Sequence, residues 1–132
     1  MIAIDSSAVI ASVMREADEE RYVIAIRAAN SCLLSAANYL ECAIVLTRLA
    51  DGRKELDEWI DHFGVEIVPV DVTQARIAAD AFERFGRGQH PARLNDGDCF
   101  AYALAASRNV PLLYKGTDFG KTDIQSALAA SS

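Results

Sequence analysis

Short, largely apolar runs alternate along this chain with longer segments in which apolar residues recur at helical spacing. Four of the runs predict buried strands, at Met1–Asp5, Cys32–Ser35, Val65–Val70 and Val110–Tyr114. Strands that are apolar on both faces and separated by helices are typical of a parallel sheet covered on both sides. The pattern therefore predicts an α/β fold, a three-layer α/β/α sandwich with a short central parallel sheet.

The segments between the predicted strands favour helices. Apolar spacing, capping residues and glycine stops place them at about 8–15, 18–29, 38–49, 54–63, 73–85 and 97–107. The second of these has an alternative, because Val23–Ile26 could also form a strand. A last short helix is predicted from Gln125. We expect no internal repeat.

Composition indicates one soluble domain spanning residues 1–132, with 52% hydrophobic and 24% charged residues. Three cysteines without a metal-like spacing predict buried, reduced thiols in a cytoplasmic protein. The first residues lack the basic start of a signal peptide, and no apolar run approaches the length of a membrane span. The net charge of −6 should repel nucleic acid, so any nucleic-acid site must be a local basic patch or a metal centre.

Four acidic residues stand where predicted strands end or neighbouring helices begin: Asp5, Glu41, Asp98 and Asp118. Ligands of parallel sheets bind outside the carboxyl ends of the strands, and all four carboxylates could meet there. Two carboxylates about 5 Å apart repel by roughly 3 kcal/mol at an effective dielectric constant of about 20. Protonation or a cation must offset that repulsion, and an all-oxygen site selects Mg²⁺ or Mn²⁺. Such ions can activate a water for phosphodiester hydrolysis.

Each acid also has a purely structural explanation. Asp5 could cap the first helix, and Asp98 in the first turn of its helix could accept bonds from free backbone N–H groups. Asn38 and Glu41 match a capping box, with Asn38 as the N-cap. Asp118 could be a turn residue.

Four stretches of the chain resemble the PIN-domain nucleases, and specifically the VapC-type toxins of toxin–antitoxin pairs. They are Met1–Ala8, Ser35–Glu41, Leu94–Ala105 and Leu112–Phe119, in the order and spacing of that family. The resemblance implies an α/β/α sandwich, a Mg²⁺- or Mn²⁺-dependent endoribonuclease, inhibition by a cognate antitoxin, and a homodimer. The first two helices are the expected docking place of the antitoxin.

Carried over by position, the resemblance makes Asp5, Glu41 and Asp98 the main metal-binding acids and Asp118 the fourth. A hydroxyl from Ser6 or Thr117 would orient a ligand or a water. The chain departs from the family at Asp96, where relatives commonly carry an aromatic residue; capping is its expected role. Asp123 is the alternative to Asp118.

A basic segment precedes Asp98. Arg84, Arg87, His90 and Arg93 occur without an acid between Arg84 and Leu94. We expect Arg87 and Arg93 to contact RNA phosphates, although a solvated polar loop would have the same composition. Lys115 could likewise offset charge at the site or on the scissile phosphate.

The sequence leaves three other functions open. A PIN nuclease of RNA maturation would need no antitoxin. A non-catalytic signalling module of receiver type also gathers acids and Mg²⁺ at the edge of a parallel sheet. A third possibility is an acid cluster that has lost catalysis and only binds a partner.

Overall fold

The computed structural model describes residues 1–128. Four parallel strands form its sheet, in the order β3-β2-β1-β4. They are β1 (Ile2–Ile4), β2 (Cys32–Ser35), β3 (Glu66–Val68) and β4 (Leu112–Leu113). The chain adds β2 and β3 on one side of β1 and then crosses to place β4 on the other. The winding direction therefore reverses between β1 and β4, where sheets of this kind bind ligands.

Six helices surround the sheet within residues 1–128. They are α1 (Ser6–Val13), α2 (Glu19–Ala28), α3 (Ala36–Val45), α4 (Gly52–Phe63), α5 (Val72–Phe85) and α6 (Asp96–Arg108). Short 3₁₀ turns occur at Leu46–Arg48 and Phe119–Lys121. Throughout residues 1–128, no helix is both long and apolar enough to cross a membrane.

Two hydrophobic cores lie on opposite faces of the sheet, because successive strand residues point to opposite sides. Ile2 and Ile4 pack into a core with α1 to α4, whereas Ala3 packs into the core of α5 and α6. All three side chains are buried. The predicted three-layer α/β/α sandwich is confirmed.

Three details differ from the sequence-based predictions. Val23–Ile26 is helical, so the strand alternative is wrong. Strands β3 and β4 are shorter than predicted, because Pro69 directly after β3 and Pro111 directly before β4 have no N–H to donate to a ladder. Residues 125–128 form no helix. Instead the backbone of Gln125 and Ala127 hydrogen-bonds to Leu112, at 2.8 and 2.9 Å. The rest of that predicted helix, at 129–132, lies outside the described residues.

Candidate active site

Asp5 follows β1 directly and is the N-cap of α1. Its Oδ2 accepts the backbone N–H of Ser7 at 3.0 Å and the Ser7 hydroxyl. The Ser7 hydroxyl oxygen accepts in turn the backbone N–H of Lys115, at 3.0 Å, in the segment after β4. One side-chain hydroxyl therefore links Asp5 to the strand across the reversal of the sheet. The capping role predicted for Asp5 is present in the structure.

The second carboxylate oxygen of Asp5 has no such partner. Asp5 is only 2% exposed, and its Oδ1 is buried without a hydrogen bond from any described residue. Burial raises the pKa of Asp5 to about 7, and the negative charges of Asp98 and Glu41 add to that effect. The two bonds from Ser7 favour the charged form but do not compensate for burial. Asp5 is thus a carboxylate that lacks a counter-charge.

Glu41 lies in the interior of α3 and not in a capping box, so that prediction is wrong. The helix leaves β2 without a loop, and Ser35 is its N-cap, accepting the N–H of Ala37 at 3.3 Å. Asn38 therefore lies inside the first turn, where its amide nitrogen donates 3.2 Å to Glu41 Oε1. The Ser6 hydroxyl donates to the same oxygen at 2.5 Å. Ser6 and Asn38 together hold Glu41 in place.

Gly97 provides the space for the Glu41 carboxylate. A β-carbon at position 97 would stand 2.6 Å from Glu41 Oε1 and 2.7 Å from its carboxyl carbon. The buried Asn38 amide also donates 2.9 Å to the carbonyl oxygen of Gly97, joining α3 to the first turn of α6. Sequence reasoning gave Asn38 only a capping role and gave Gly97 no role. A glycine inside the first turn of a helix, where it disfavours the helix, was the available signal.

Asp98 caps α6 and also belongs to the acid cluster. Its Oδ2 accepts the N–H of Asn95 at 3.0 Å while the Asn95 side chain accepts the N–H of Asp98 at 2.9 Å, a complete capping box. Partial burial raises the pKa of Asp98 against the effect of the Asn95 bond, and the charges of Glu41 and Asp118 raise it further. The structural explanation for Asp98 is correct, yet it leaves one oxygen free to serve another ligand.

Asp118 stands at the rim of the cluster. A cavity of about 210 Å³ is lined by Arg87, Arg93, Asn95, Asp98 and Asp118. Two guanidinium groups therefore share one concave surface with two of the acids. The exposed position of Asp118, in the loop after β4, suits a residue that meets an incoming ligand.

Asp123 is occupied elsewhere. It forms a 3.0 Å ion pair with Arg84 and accepts a hydrogen bond from Tyr102. These two partners lower the pKa of Asp123, with the Tyr102 bond as the larger cause. Of the two alternatives, Asp118 is the one that the fold brings to the cluster.

Within residues 1–128, the side chains of three further residues considered from the sequence make no hydrogen bond or ion pair with the four acids. Lys115 forms ion pairs with Glu16 and Asp18, at 3.2 and 3.3 Å, so its ammonium group is already neutralised. Thr117 is exposed in the loop before Asp118. Asp96 lies in the first turn of α6, where Asn95 and Asp98 form the capping box, so the capping role expected for Asp96 is wrong. Its side chain lines a separate, largely apolar groove between α5 and α6.

The donor chemistry fits a hard divalent cation. Within residues 1–128 no three acidic, histidine or cysteine side chains stand close enough to hold an ion as they are, and their unscreened charges repel. However, Asp5, Glu41 and Asp98 each use one carboxylate oxygen for protein hydrogen bonds, and Asp5 Oδ1 is a buried acceptor without a donor. Oxygen-only ligands suit Mg²⁺ or Mn²⁺.

The neighbouring thiols do not alter that assignment. Burial raises the pKa of Cys42, which follows Glu41, and raises that of Cys99 to about 11. Both thiols are protonated near neutral pH, so they are poor nucleophiles and poor metal ligands. The prediction of buried thiols is confirmed for all three cysteines.

Comparison with known proteins places this geometry in a family. The family model of the PIN domain matches residues 2–125. Ribonuclease VapC28 of Mycobacterium tuberculosis is 48% identical over 128 residues, covering 95% of this chain and 96% of the relative.

Two solved structures share the fold at low sequence identity. VapC20 of Mycobacterium tuberculosis, described as a sarcin-ricin loop cleaving toxin, has a TM-score of 0.74 at 14% identity, covering 94% of this chain and 96% of that one. A chain of a toxin–antitoxin complex from Klebsiella pneumoniae has a TM-score of 0.72 at 13% identity, with 93% of each chain covered. The resemblance seen in the sequence is confirmed: the chain belongs to the PIN domain family and, within it, to the VapC ribonucleases.

Proposed function

We propose that this protein is a divalent-metal-dependent endoribonuclease and the toxin of a toxin–antitoxin pair. The observation that carries the proposal is the buried Asp5 carboxylate, with an oxygen that lacks a donor, beside Glu41 and Asp98 at the reversal of the sheet. Relatives named as VapC ribonucleases support the reaction class. Membership of this family replaces the receiver-type hypothesis.

Asp5, Glu41 and Asp98 would hold the cation, with Asp118 at the rim. When bound, a Mg²⁺ or Mn²⁺ ion supplies Lewis acidity that activates water and neutralises charge on the scissile phosphate. The protein orients these acids in advance: Ser7 holds Asp5, and Ser6 holds Glu41. Such preorganisation lowers the cost of assembling a site with several negative charges.

Arg87 and Arg93 would bind the RNA backbone. Both line the cavity that contains Asp98 and Asp118, and a guanidinium group binds a phosphate through two parallel hydrogen bonds. The Thr117 hydroxyl, next to Asp118, would serve the same substrate. Lys115 does not belong to this set, because its two ion pairs occupy the ammonium group.

The antitoxin would occupy a groove on another part of the surface. A cavity of about 730 Å³ lies between α1, α2 and α4, with Val23, Trp59 and Phe63 among its apolar walls and Arg15 and Arg27 among its charges. An apolar groove with a charged border fits one face of an amphipathic helix. The toxin–antitoxin complex from Klebsiella pneumoniae supports a partner of this class.

A homodimer is the second proposed assembly. Leu40 and Ile44 are 59% and 60% exposed and lie one turn apart on α3. Large apolar side chains at this spacing form a continuous surface that a second copy could cover.

The decisive experiment is cleavage of a pool of structured RNAs by the purified, antitoxin-free protein with Mg²⁺, with Mn²⁺ or with a chelator. Asp98→Asn is the test variant. Asp96→Asn is the matched control. It also removes one negative charge, two residues before Asp98, but from a side chain that lines a different groove. We expect discrete, metal-dependent cuts that Asp98→Asn abolishes and Asp96→Asn preserves. Cuts that persist in chelator or in Asp98→Asn would refute the proposed site.

A further inference from the structure

The loop from Gly86 to Leu94, here called the basic loop, is closed by its own backbone. The N–H of Arg87 donates 2.9 Å to the carbonyl of Leu94, and the N–H of Leu94 donates 3.0 Å to the carbonyl of Phe85. The chain therefore leaves and returns at one point between α5 and α6. These backbone hydrogen bonds hold the two ends of the loop together. Its residues Arg87 and Arg93 line the cavity that also contains Asp98 and Asp118.

The backbone of the basic loop is strained at Arg93. This residue has a φ of 57°, in the left-handed region that disfavours side chains with a β-carbon. Its neighbours Ala92 and Leu94 are both fully buried, so the strained residue is anchored on each side. A conformation of this kind persists only where the surroundings hold it. The contacts that order residues 90–92 must therefore help to hold Arg93 in this conformation.

His90 supplies that order through three hydrogen bonds within the loop. Its Nδ1 accepts the N–H of Ala92 at 3.0 Å. Its backbone N–H donates to the carbonyl of Gly86, and its carbonyl accepts the N–H of Arg93, both at 3.0 Å. The side-chain bond to the second residue along is the pattern that asparagine and aspartate use to close turns. His90 thus fixes the backbone just before the strained residue.

The imidazole ring is itself held by packing. It lies edge-on to the ring of Phe85, with centroids 5.2 Å apart and planes at 90°, and Phe85 packs against Tyr102 of α6 at 5.9 Å. Edge-to-face pairs of this type fix the orientation of both rings. Packing and hydrogen bonding together orient the ring so that His90 Nδ1 faces the N–H of Ala92.

We propose that His90 is a positioning residue for the RNA substrate: its Nδ1 acceptor holds the basic loop so that Arg87 and Arg93 face the acid cluster. The inference rests on the proposed function, because it concerns how the same site grips a phosphate backbone. His90 does not touch the RNA in this scheme. It acts through the conformation at Ala92 and Arg93.

Two substitutions separate the role of the Nδ1 acceptor from the role of the aromatic ring. His90→Asn keeps an acceptor at the same distance from the backbone and removes the ring, whereas His90→Phe keeps an aromatic ring on Phe85 and removes the acceptor. Both are placed in an Asp98→Asn background so that RNA survives the measurement. The probe is a labelled, unstructured 20-nucleotide RNA of mixed sequence, bound in Mg²⁺ over a series of salt concentrations.

We expect His90→Phe to weaken RNA binding about tenfold, the value of one charge-assisted hydrogen bond. The slope of log affinity against log salt should flatten by about 0.7 for each phosphate that the loop no longer binds. His90→Asn should keep both the RNA affinity and the salt slope at the values of the parent protein. A purely structural role would move thermal stability and leave the salt slope unchanged. Exchange of the Ala92 amide should accelerate in His90→Phe and stay slow in His90→Asn.

The outcomes distinguish this inference from the function on which it rests. An unsubstituted protein that neither binds nor cleaves the RNA overturns the proposed function and the inference together. A parent that binds, with an unchanged salt slope in His90→Phe, overturns the role of His90 alone. Failure of His90→Asn to restore binding would also overturn it, because the acceptor would then not be the feature that matters.

Discussion

The carboxylate of Glu41 lies against the α-carbon of Gly97, in space that any larger residue at position 97 would fill. This close approach lets α3 reach the first turn of α6, and it brings Glu41 near enough to raise the pKa of Asp98. The N-terminus of α6 also carries a partial positive charge that favours a nearby carboxylate. A missing side chain is therefore what allows two acids to share this edge.

Gly97→Ala should remove activity without unfolding the protein. Alanine suits a helix better than glycine by about 1 kcal/mol, so the penalty falls on the Glu41 carboxylate, which must move. We expect RNA cleavage to fall at least tenfold with little change in melting temperature. Gly120→Ala is the control, because a β-carbon there would meet only the Tyr114 hydroxyl, at 3.8 Å. Equal activity in both variants would show that the position of Glu41 does not matter.

Asn38→Ala should lower both stability and activity. The fully buried Asn38 amide bonds to Glu41 and to the Gly97 carbonyl. Removing this buried donor takes one hydrogen bond from each acceptor and leaves Glu41 Oε1 with the Ser6 hydroxyl alone, at a cost of about 1–3 kcal/mol. Gln74→Ala is the matched control, since Gln74 is also a buried amide but donates to Pro69, outside the cluster.

Urea unfolding and RNA cleavage measured on both alanine variants distinguish the two roles. We expect similar losses in the free energy of unfolding, with a loss of cleavage confined to Asn38→Ala. Equal cleavage by the two variants would reduce Asn38 to an ordinary buried amide.

The metal-free protein should lose stability as pH rises from about 4 to 7. The folded pKa of Asp5 is about 7 against an ordinary value of 3.8, so the folded state keeps a proton that the unfolded state releases. Its stabilising contribution is complete below the unfolded pKa and disappears as pH rises through the folded pKa, by up to about 1.4 kcal/mol per pH unit. Urea unfolding in chelator at a series of pH values measures this slope of the free energy of unfolding against pH.

Asp5→Asn should lack that part of the slope and be more stable than the wild type at pH 8 in chelator. Adding Mg²⁺ at pH 8 should stabilise the wild type more than the variant, because an ion bound only by the folded state shifts the unfolding equilibrium. Identical slopes for the two proteins in chelator would contradict the assigned protonation of Asp5.

The sequence predicts the fold well because the strands and helices follow local rules. Apolar runs locate the strands, and the carboxyl ends of parallel strands bring Asp5 and Asp118 to one edge. The contact between Asn38 and Gly97 could not be predicted, since their hydrogen bond joins residues 59 positions apart. The capping-box error has a local cause: α3 starts directly from β2, with Ser35 as its cap.

Neutralising the two cavity arginines should weaken RNA binding, most strongly at low salt, and flatten its salt dependence. Arg87 and Arg93 line a cavity with Asp98 and Asp118, in a chain whose net charge is −6. An RNA approaching such a surface meets general repulsion, so its binding depends on these local cations.

Each phosphate of a single strand that the protein neutralises contributes about 0.7 to the slope of log affinity against log salt. The Arg87→Gln, Arg93→Gln double variant should therefore flatten the slope by about 1.4, whereas Arg76→Gln on the exposed surface of α5 should leave it unchanged. A slope that falls equally in both proteins would mean that RNA responds to overall charge and not to the basic loop. A slope unchanged in both would place the substrate elsewhere on the molecule.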